Sequence, residues 1–535
     1  MENAQFGMIG LGTMGRNFLL NVAEHGFSCV GYDLDAEKVD LLNTEGAEYT
    51  VEGFNDLPKF IKSLETPRKI MMLVPAGKIV DSVIENLLPH LDKGDIIIDG
   101  GNSHFTDTEV REKYLADKGF EFMGVGVSGG EEGARHGASI MPGGNKKSYE
   151  QVAPILEAAS AKVNGEPCVT YIGKGSSGHF VKMVHNGIEY GLMQILAETY
   201  DFMNRVLKMS YDEMSQTFGD WNNAELNSFL VEITAEVLKK ADDKTKNPLV
   251  EMILDKAAQK GTGKWTSQAA MDFGVPIPTI DSAVSMRQIS AQKEARTVIA
   301  KKYGDGEPEI TNPPKADAET VLSETETDSA KAAREQRAAE TTVSEHHKAS
   351  LDAENVGDKK EITTDKAHDE TVRAHVEKNR DEFLELLKQT LLSSFIVTYA
   401  QGMSLLQTAS KEKEYDLNLS EIAKIWRGGC IIRSELLEGM RRAYDKNPDL
   451  ANLILDDGFA DILSKNRDFW CKINNEFSVS QVPSLCLSSA LSYFDAFRSS
   501  RLPANLIQAQ RDFFGAHTYQ RIDEEGTFHT PDWNE

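Results

Sequence analysis

The stretch Phe6-Gly7-Met8-Ile9-Gly10-Leu11-Gly12-Thr13-Met14-Gly15 decides the fold. Its first four residues read as a buried strand, and three glycines at GxGxxG spacing then lead into a helical pattern. Glycine permits a tight turn and a close approach of backbone to a pyrophosphate. The helix that opens there offers free N–H groups and partial positive charge to the phosphates. Gly10, Leu11, Gly12, Thr13, Met14 and Gly15 are therefore expected to hold a dinucleotide. The glycine spacing alone is a weak signal; its place between strand and helix, with an acid at the right distance, strengthens it. That acid is Asp33, in Tyr32-Asp33-Leu34-Asp35. A carboxylate at the end of a second strand accepts hydrogen bonds from an adenosine ribose 2′-OH and repels a 2′-phosphate, and no cation follows until Lys38. This favours NAD, with NADP the alternative. Asp33 could instead cap the helix that follows.

Outward from this stretch, residues 6–9, 28–32, 69–74, 95–99 and 121–127 read as buried parallel strands, with 16–24 and 80–91 as crossover helices. Residues 1–178 thus form an α/β Rossmann-type, doubly wound dinucleotide-binding domain. Beyond it the strand signal fades, and patterns such as 180–204 and 226–240 predict a large all-helical domain over 179–499. Within that domain, 301–380 holds 13 Lys/Arg, 19 Asp/Glu and a single aromatic, Tyr303. So few apolar side chains cannot offset the entropy of ordering, which predicts a disordered or loosely helical charged insertion. Residues 500–535 form a tail with aromatic and polar groups but little helical periodicity. A faint internal repeat pairs residues 188–194 with 397–403, each followed by a tryptophan, Trp221 or Trp426. In the second copy Leu391, Ser394 and Thr398 replace Lys182, His185 and Glu189.

Bulk properties narrow the function. The formal net charge of −26 repels nucleic acid and anionic membranes. It also repels anionic substrates, so a phosphorylated ligand would require a local cluster of cations. No run of 18 apolar residues is present, and the N-terminus lacks the basic stretch of a secretory signal. Five scattered cysteines, an odd number without CxxC spacing, point to a reducing, cytoplasmic setting and away from a zinc site. No other metal-ligand cluster is visible.

Lys182, His185, Asn186 and Glu189 lie within about 100° of one another on a helix, with Tyr190 beside them. Such a face could be a solvated charged surface. Its place directly after the nucleotide domain, with Met183, Val184 and Ile188 on the other sides, argues that it is buried instead. A base and an acid two turns apart fit oxidation of a hydroxy acid, loss of carbon dioxide, and reprotonation of the enediol. A lysine can act as the base if burial brings its pKa down toward neutrality.

The segment Ile253-Leu254-Asp255-Lys256-Ala257-Ala258-Gln259-Lys260-Gly261-Thr262-Gly263-Lys264-Trp265 resembles the signature of 6-phosphogluconate dehydrogenases. So do Ser128-Gly129-Gly130, the Lys182–Tyr190 helix and the run from Arg511 to Tyr519. The resemblance covers the chain outside 301–380. It implies decarboxylation of a phosphorylated sugar acid in the pentose phosphate pathway and gluconate utilisation. Lys182 would be the general base and Glu189 the general acid. Asn102, Ser128, Gly129, Gly130, His185 and Asn186 would hold the sugar-acid end, and Tyr190, Lys260, Thr262 and Arg287 the phosphate end. Val74, Pro75, Ala76 and Asn102 would lie along the cofactor. The resemblance also implies an obligate homodimer in which Arg511 and His517 reach the partner's site. NADP-dependent members carry an Asn-Arg-Thr type segment where this chain has Asp33-Leu34-Asp35, and commonly a lysine where it has Pro75. The rivals are another 3-hydroxyacid dehydrogenase, which would be shorter and lack the Lys260–Trp265 motif, and a non-catalytic dinucleotide-binding protein, which would have lost Lys182 or Glu189.

Overall fold

The computed structural model describes residues 3–304 and 380–533. Parallel strands β1 (Phe6–Ile9), β2 (Cys29–Tyr32), β3 (Val51–Phe54), β4 (Lys69–Met72), β5 (Ile96–Asp99) and β6 (Glu121–Ser128) join antiparallel β7 (Ser139–Gly144). Their order is β3-β2-β1-β4-β5-β6-β7. Side chains alternate across the sheet because successive strand residues face opposite ways. Met71, Ile96 and Ile98 join the core under helix Thr13–Glu24, while Ile70, Met72 and Ile97 join the opposite core with Val80, Ile84 and Leu115. Strands buried on both faces read as unbroken apolar runs, which is why five of the seven were legible.

Two strands of this sheet escaped the sequence reading, as did the short hairpin Lys162–Val163 with Glu166–Pro167. The β3 residues are all only half-buried, and β7 carries Pro142, Gly143 and Gly144, residues that argue against a strand except at an edge. The crossover expected over 80–91 divides into a helix, Lys78–Leu87, and a 3-10 turn, Leu88–His90, where Pro89 enters.

At Ser177 the chain turns wholly helical. A central helix, Ser177–Arg205, packs against a long counterpart, Arg380–Glu412. Each is followed by a shorter helix and then an eleven-residue one, Phe229–Lys239 or Leu436–Lys446. Ser228 and Ser434, just before those helices, meet in an antiparallel bridge. Phe229 N–H donates to Arg433 O (3.0 Å) and Glu435 N–H to Asn227 O (2.9 Å). This reciprocal pairing supports the internal repeat. Small residues let the helices approach. A Cβ on Gly191 would lie 2.6 Å from Thr398 Cγ2, and one on Gly402 would lie 2.5 Å from Ile188 Cδ1.

Despite its weak helical periodicity, the tail is helical over Ala504–Gly515. A buried carboxylate organises the tail in place of an apolar stripe. Asp512 accepts from Thr518 N–H (2.9 Å), Thr530 N–H (3.0 Å), His529 Nδ1 (2.9 Å) and Trp533 Nε1 (3.1 Å). Meanwhile Leu506, Ile507, Phe513 and Phe514 face solvent in the single chain. The expected insertion at 301–380 lies outside the described residues except at its rims. There, 301–303 end the helix Lys293–Tyr303, and Arg380 opens the next. Among the described residues no helix is long and apolar enough to cross a membrane. The described residues up to Arg296 and from Arg380 form one compact unit, and 297–304 belong to a second.

Gly191→Ala should destabilise the protein, since overpacking costs about 1–3 kcal/mol against a helix-propensity gain of at most about 1. Adding Thr398→Ser, which removes the opposing methyl, should recover much of the loss in thermal unfolding. An unchanged Tm for Gly191→Ala would show that the crossing is not tight.

Candidate active site

The central helix sits directly on the sheet because glycines face it. A Cβ on Gly126 would collide with Lys182 Cβ, and one on Gly178 would collide with the carbonyls of Gly124 and Met141. Lys182 is consequently buried, 6% exposed. Its Nζ lies 3.4 Å from His185 Nδ1, which also meets Asn186 Oδ1 at 3.1 Å and Glu189 Oε2 at 4.0 Å. His185 Nε2 lies 3.2 Å from Ser128 Oγ at the end of β6. The structure thus keeps Lys182, His185, Asn186 and Glu189 on one side of the helix and brings Ser128 to them from the end of β6.

Burial sets the charge states. It pulls the Lys182 amine below the ordinary lysine range, while Glu189 and Cys430 act the other way. It raises the Glu189 carboxyl, opposed by Lys182 and Arg287. It drives His185 well below its usual value, helped by Lys182 and opposed by the Asn186 bond. Burial therefore moves all three groups toward their uncharged forms, the amine and imidazole downward and the carboxyl upward.

On the side away from the sheet, the Arg287 guanidinium lies 3.5 Å over the Tyr190 ring and donates to Ala258 O at 3.0 Å. Thr262 opens helix Thr262–Asp272 from Gly261, which has φ +96°. Thr266 Oγ1 ties that helix to Met183 O at 2.8 Å. Lys260 is exposed just before it. Tyr190, Thr262 and Arg287 thus gather at one end of the cluster, with Lys260 on the adjoining loop. Gly129 (φ +122°) and Gly130 (φ +62°) turn the chain after β6.

The cofactor loop has the required openness. Gly10 takes φ +91°, where a Cβ would lie 2.6 Å from Leu73 O, and Gly12 faces open space. Thr13 begins the first helix, whose Gly12 N-cap makes no side-chain cap bond. Asp33 accepts from Leu11 N–H (2.8 Å) and Asp35 N–H (3.0 Å). The cap of the following helix is Asp35, which accepts from Glu37 N–H, so Asp33 is not the cap. Lys38 lies 3.6 Å from Asp33 and 3.5 Å from Asp35. Val74, Pro75 and Ala76 follow β4 and Asn102 follows β5, at the carboxyl ends of strands beside the cofactor loop. Met14 is half-buried and Gly15 buried on that loop's helical side.

Arg511 and His517 do not join this cluster within one chain. Both are exposed and rest on the tail itself, on Gln508 (3.1 Å) and on the Phe514 ring. The sequence reading missed the wall supplied by the second half. The Trp426 ring meets the His185 ring edge-on at 5.6 Å. A Cβ on Gly129 would lie 2.6 Å from Gly429 O, and Ser139 N–H donates to that same oxygen at 2.8 Å. The paired glycines of Arg427-Gly428-Gly429-Cys430 were the available signal. Among the described residues, no group of three or more His, Cys, Asp or Glu could hold a metal.

Desolvation lowers the Lys182 pKa on folding, so the charged amine costs more in the folded chain than in the unfolded one. Lys182→Met should therefore raise Tm. The gain should be full below the folded pKa of Lys182 and should shrink as pH approaches the ordinary 10.5. A Tm unchanged or lowered at pH 7 would mean that Lys182 is solvated.

Residues 5–173 match the NAD binding domain of 6-phosphogluconate dehydrogenase, and residues 178–334 and 323–533 match the C-terminal domain of that enzyme. The chain is 45% identical over 530 residues to the NADP(+)-dependent, decarboxylating 6-phosphogluconate dehydrogenase of Bacillus subtilis, covering 99% of each chain. It is 43% identical over 535 residues to the decarboxylating enzyme of Lactococcus lactis, covering 100% of this chain and 99% of that one. The solved 6-phosphogluconate dehydrogenase of Plasmodium falciparum, described in its apo form and in complexes with NADP+ and with 6-phosphogluconate, superposes with a TM-score of 0.83 at 40% identity. That match covers 98% of this chain and 100% of that one.

Proposed function

The chain belongs to the 6-phosphogluconate dehydrogenase family, and we propose that it oxidatively decarboxylates 6-phosphogluconate to ribulose 5-phosphate. The observation that carries this reading is the placing of buried Lys182 and half-buried Glu189 on either side of His185. Residues 10–15 and Asp33 would hold a nicotinamide cofactor, which when bound would supply the acceptor for the hydride on carbon 3 of the substrate. Neutral Lys182 takes the 3-hydroxyl proton as that hydride leaves, and returns it to the 3-oxo oxygen as the carboxylate departs as carbon dioxide. Protonated Glu189 then delivers its proton to carbon 1 of the enediol while Lys182, neutral again, takes the proton of the adjacent hydroxyl and leaves the ketone. Ser128, Gly129, Gly130, Asn102, His185 and Asn186 hold the sugar-acid end. Tyr190, Lys260, Thr262 and Arg287 take the phosphate, and the two cations among them, Lys260 and Arg287, offset the repulsion of a chain with net charge −26.

NAD is the preferred cofactor in this reading. Asp33 places a carboxylate at the ribose side, and the nearby Lys38 is already paired with Asp33 and Asp35. The NADP(+) in the names of the Bacillus enzyme and the Plasmodium complex makes NADP the specific alternative. The working assembly is a homodimer. The exposed Leu506, Ile507, Phe513 and Phe514 on the tail helix form an apolar face suited to a second copy, to which Arg511 and His517 would be delivered. Five unpaired cysteines accord with the cytoplasm.

Steady-state assays with 6-phosphogluconate and each cofactor, following reduced nicotinamide and ribulose 5-phosphate, test the function. Turnover is expected, with kcat/KM higher for NAD; a clear NADP preference would overturn the cofactor assignment. Lys182→Met should abolish turnover while sparing cofactor binding, and Glu189→Gln should slow the reaction at reprotonation. Deleting the residues after Leu502 should abolish activity and yield a monomer in light scattering. A fully active truncation would refute the tail's role.

A further inference from the structure

We infer that Arg111 is a positioning residue for the nicotinamide end of the site, an inference that rests on the function proposed above. Arg111 lies on helix Phe105–Lys118 and is 5% exposed. Its guanidinium reaches three elements. Nη2 donates to Gly77 O (3.1 Å), in the loop after β4 that carries Val74, Pro75 and Ala76. Nε donates to Asp81 (2.7 Å), in the first turn of the helix following that loop. Nη1 donates to Ser103 Oγ (3.2 Å), beside Asn102 in the loop after β5, and lies 3.5 Å from Asp99 Oδ2.

Asp99 shapes that second loop from beneath. Its carboxylate accepts from Ser103 Oγ (2.6 Å) and from Gly101 N–H (3.0 Å). A Cβ on Gly101 would lie 3.1 Å from Val74 O, so the two loops pack on each other. The Asp99 carbonyl meets His179 Nε2 at 3.0 Å, and His179 Nδ1 meets Thr108 Oγ1 at 2.6 Å, on the same helix as Arg111. His179 is buried one turn before Lys182 on the central helix. One buried cation therefore fixes both loops that would line the nicotinamide, in register with the helix that carries the base.

A buried Arg–Asp pair is a poor device for stability alone, because desolvation offsets its attraction. This pair stands at the carboxyl ends of β4 and β5, where α/β sheets bind ligands. A second pair, Arg68–Asp95 (2.7 Å), stands at the opposite ends of the same two strands and supplies a control. Hydride transfer depends steeply on alignment, so loosening these loops should affect the chemical step more than binding of the rest of the cofactor.

The test uses the full chain with Arg111→Met, Arg111→Lys and Arg68→Met. Three quantities are measured: kcat, the primary isotope effect with substrate deuterated at carbon 3, and the Kd of ADP-ribose, which lacks the nicotinamide ring. Arg111→Met should lower kcat at least tenfold and raise the isotope effect, with the ADP-ribose Kd within twofold. Arg68→Met should lower Tm with kcat within twofold. Lysine cannot reach Gly77 O, Asp81 and Ser103 together, so Arg111→Lys should give an intermediate kcat, and it preserves the test if the Met variant does not fold. Wild-type kcat in Arg111→Lys, or ADP-ribose binding lost in step with kcat, would overturn the proposal. If the wild-type chain shows no turnover of 6-phosphogluconate, the function proposed above falls on its own. The positioning role is then read from contacts of the nicotinamide ring in saturation-transfer NMR: their loss in Arg111→Lys supports it and their retention overturns it.

Discussion

The Lys182 amine is dry because the helix that carries it rests on the sheet without an intervening layer. Glycines at 124, 126 and 143 put no strand side chain beneath the helix, and Gly178 lets its backbone meet the strand carbonyls. From that contact the rest of the site follows by helical geometry. Three residues on, His185 meets both the amine and Ser128; seven residues on, Glu189 enters the same desolvated space. A single methyl at Gly126 would lift the lysine, and with it the electrostatic condition for proton transfer.

Dryness also needs a lid, and the second half of the helical region supplies it. The long helix Arg380–Glu412 covers the central helix, and the Trp426–Cys430 segment closes the back of the histidine. The second copy in the repeat carries Leu391, Ser394 and Thr398 at the positions of the first copy's Lys182, His185 and Glu189. One passage carries the titratable cluster, and the other helps to wall it from solvent.

What could be read in advance follows from which forces are local. The glycine loop, five strands and the Lys182–Tyr190 face were legible because turn chemistry, double-sided burial and helical period act over a few residues. Strand β7 was hidden by Pro142 and its glycines, whose reason appears only when the central helix packs against Gly143. The tail helix was hidden because Asp512, a charged residue, is its buried anchor. Gly429 and Arg111 were invisible as site residues for a related reason. Their partners lie at sequence separations that no periodicity reports: Gly129 and Ser139 for the first, Gly77 and Asp81 for the second.

The two halves are bound to each other by much more than the chain that joins them. Glu198 receives the N–H groups of Cys486 and Leu487 (both 3.0 Å), Gln401 clasps Thr279, and the Tyr415 hydroxyl meets Ser176 (2.7 Å). All of these contacts cross the stretch between Tyr303 and Arg380. The described residues on either side of it therefore share one core, whatever covalent link joins them. Severing it would remove connectivity and leave the shared core intact. The molecule is in that sense two complementary fragments that happen to be translated as one polypeptide.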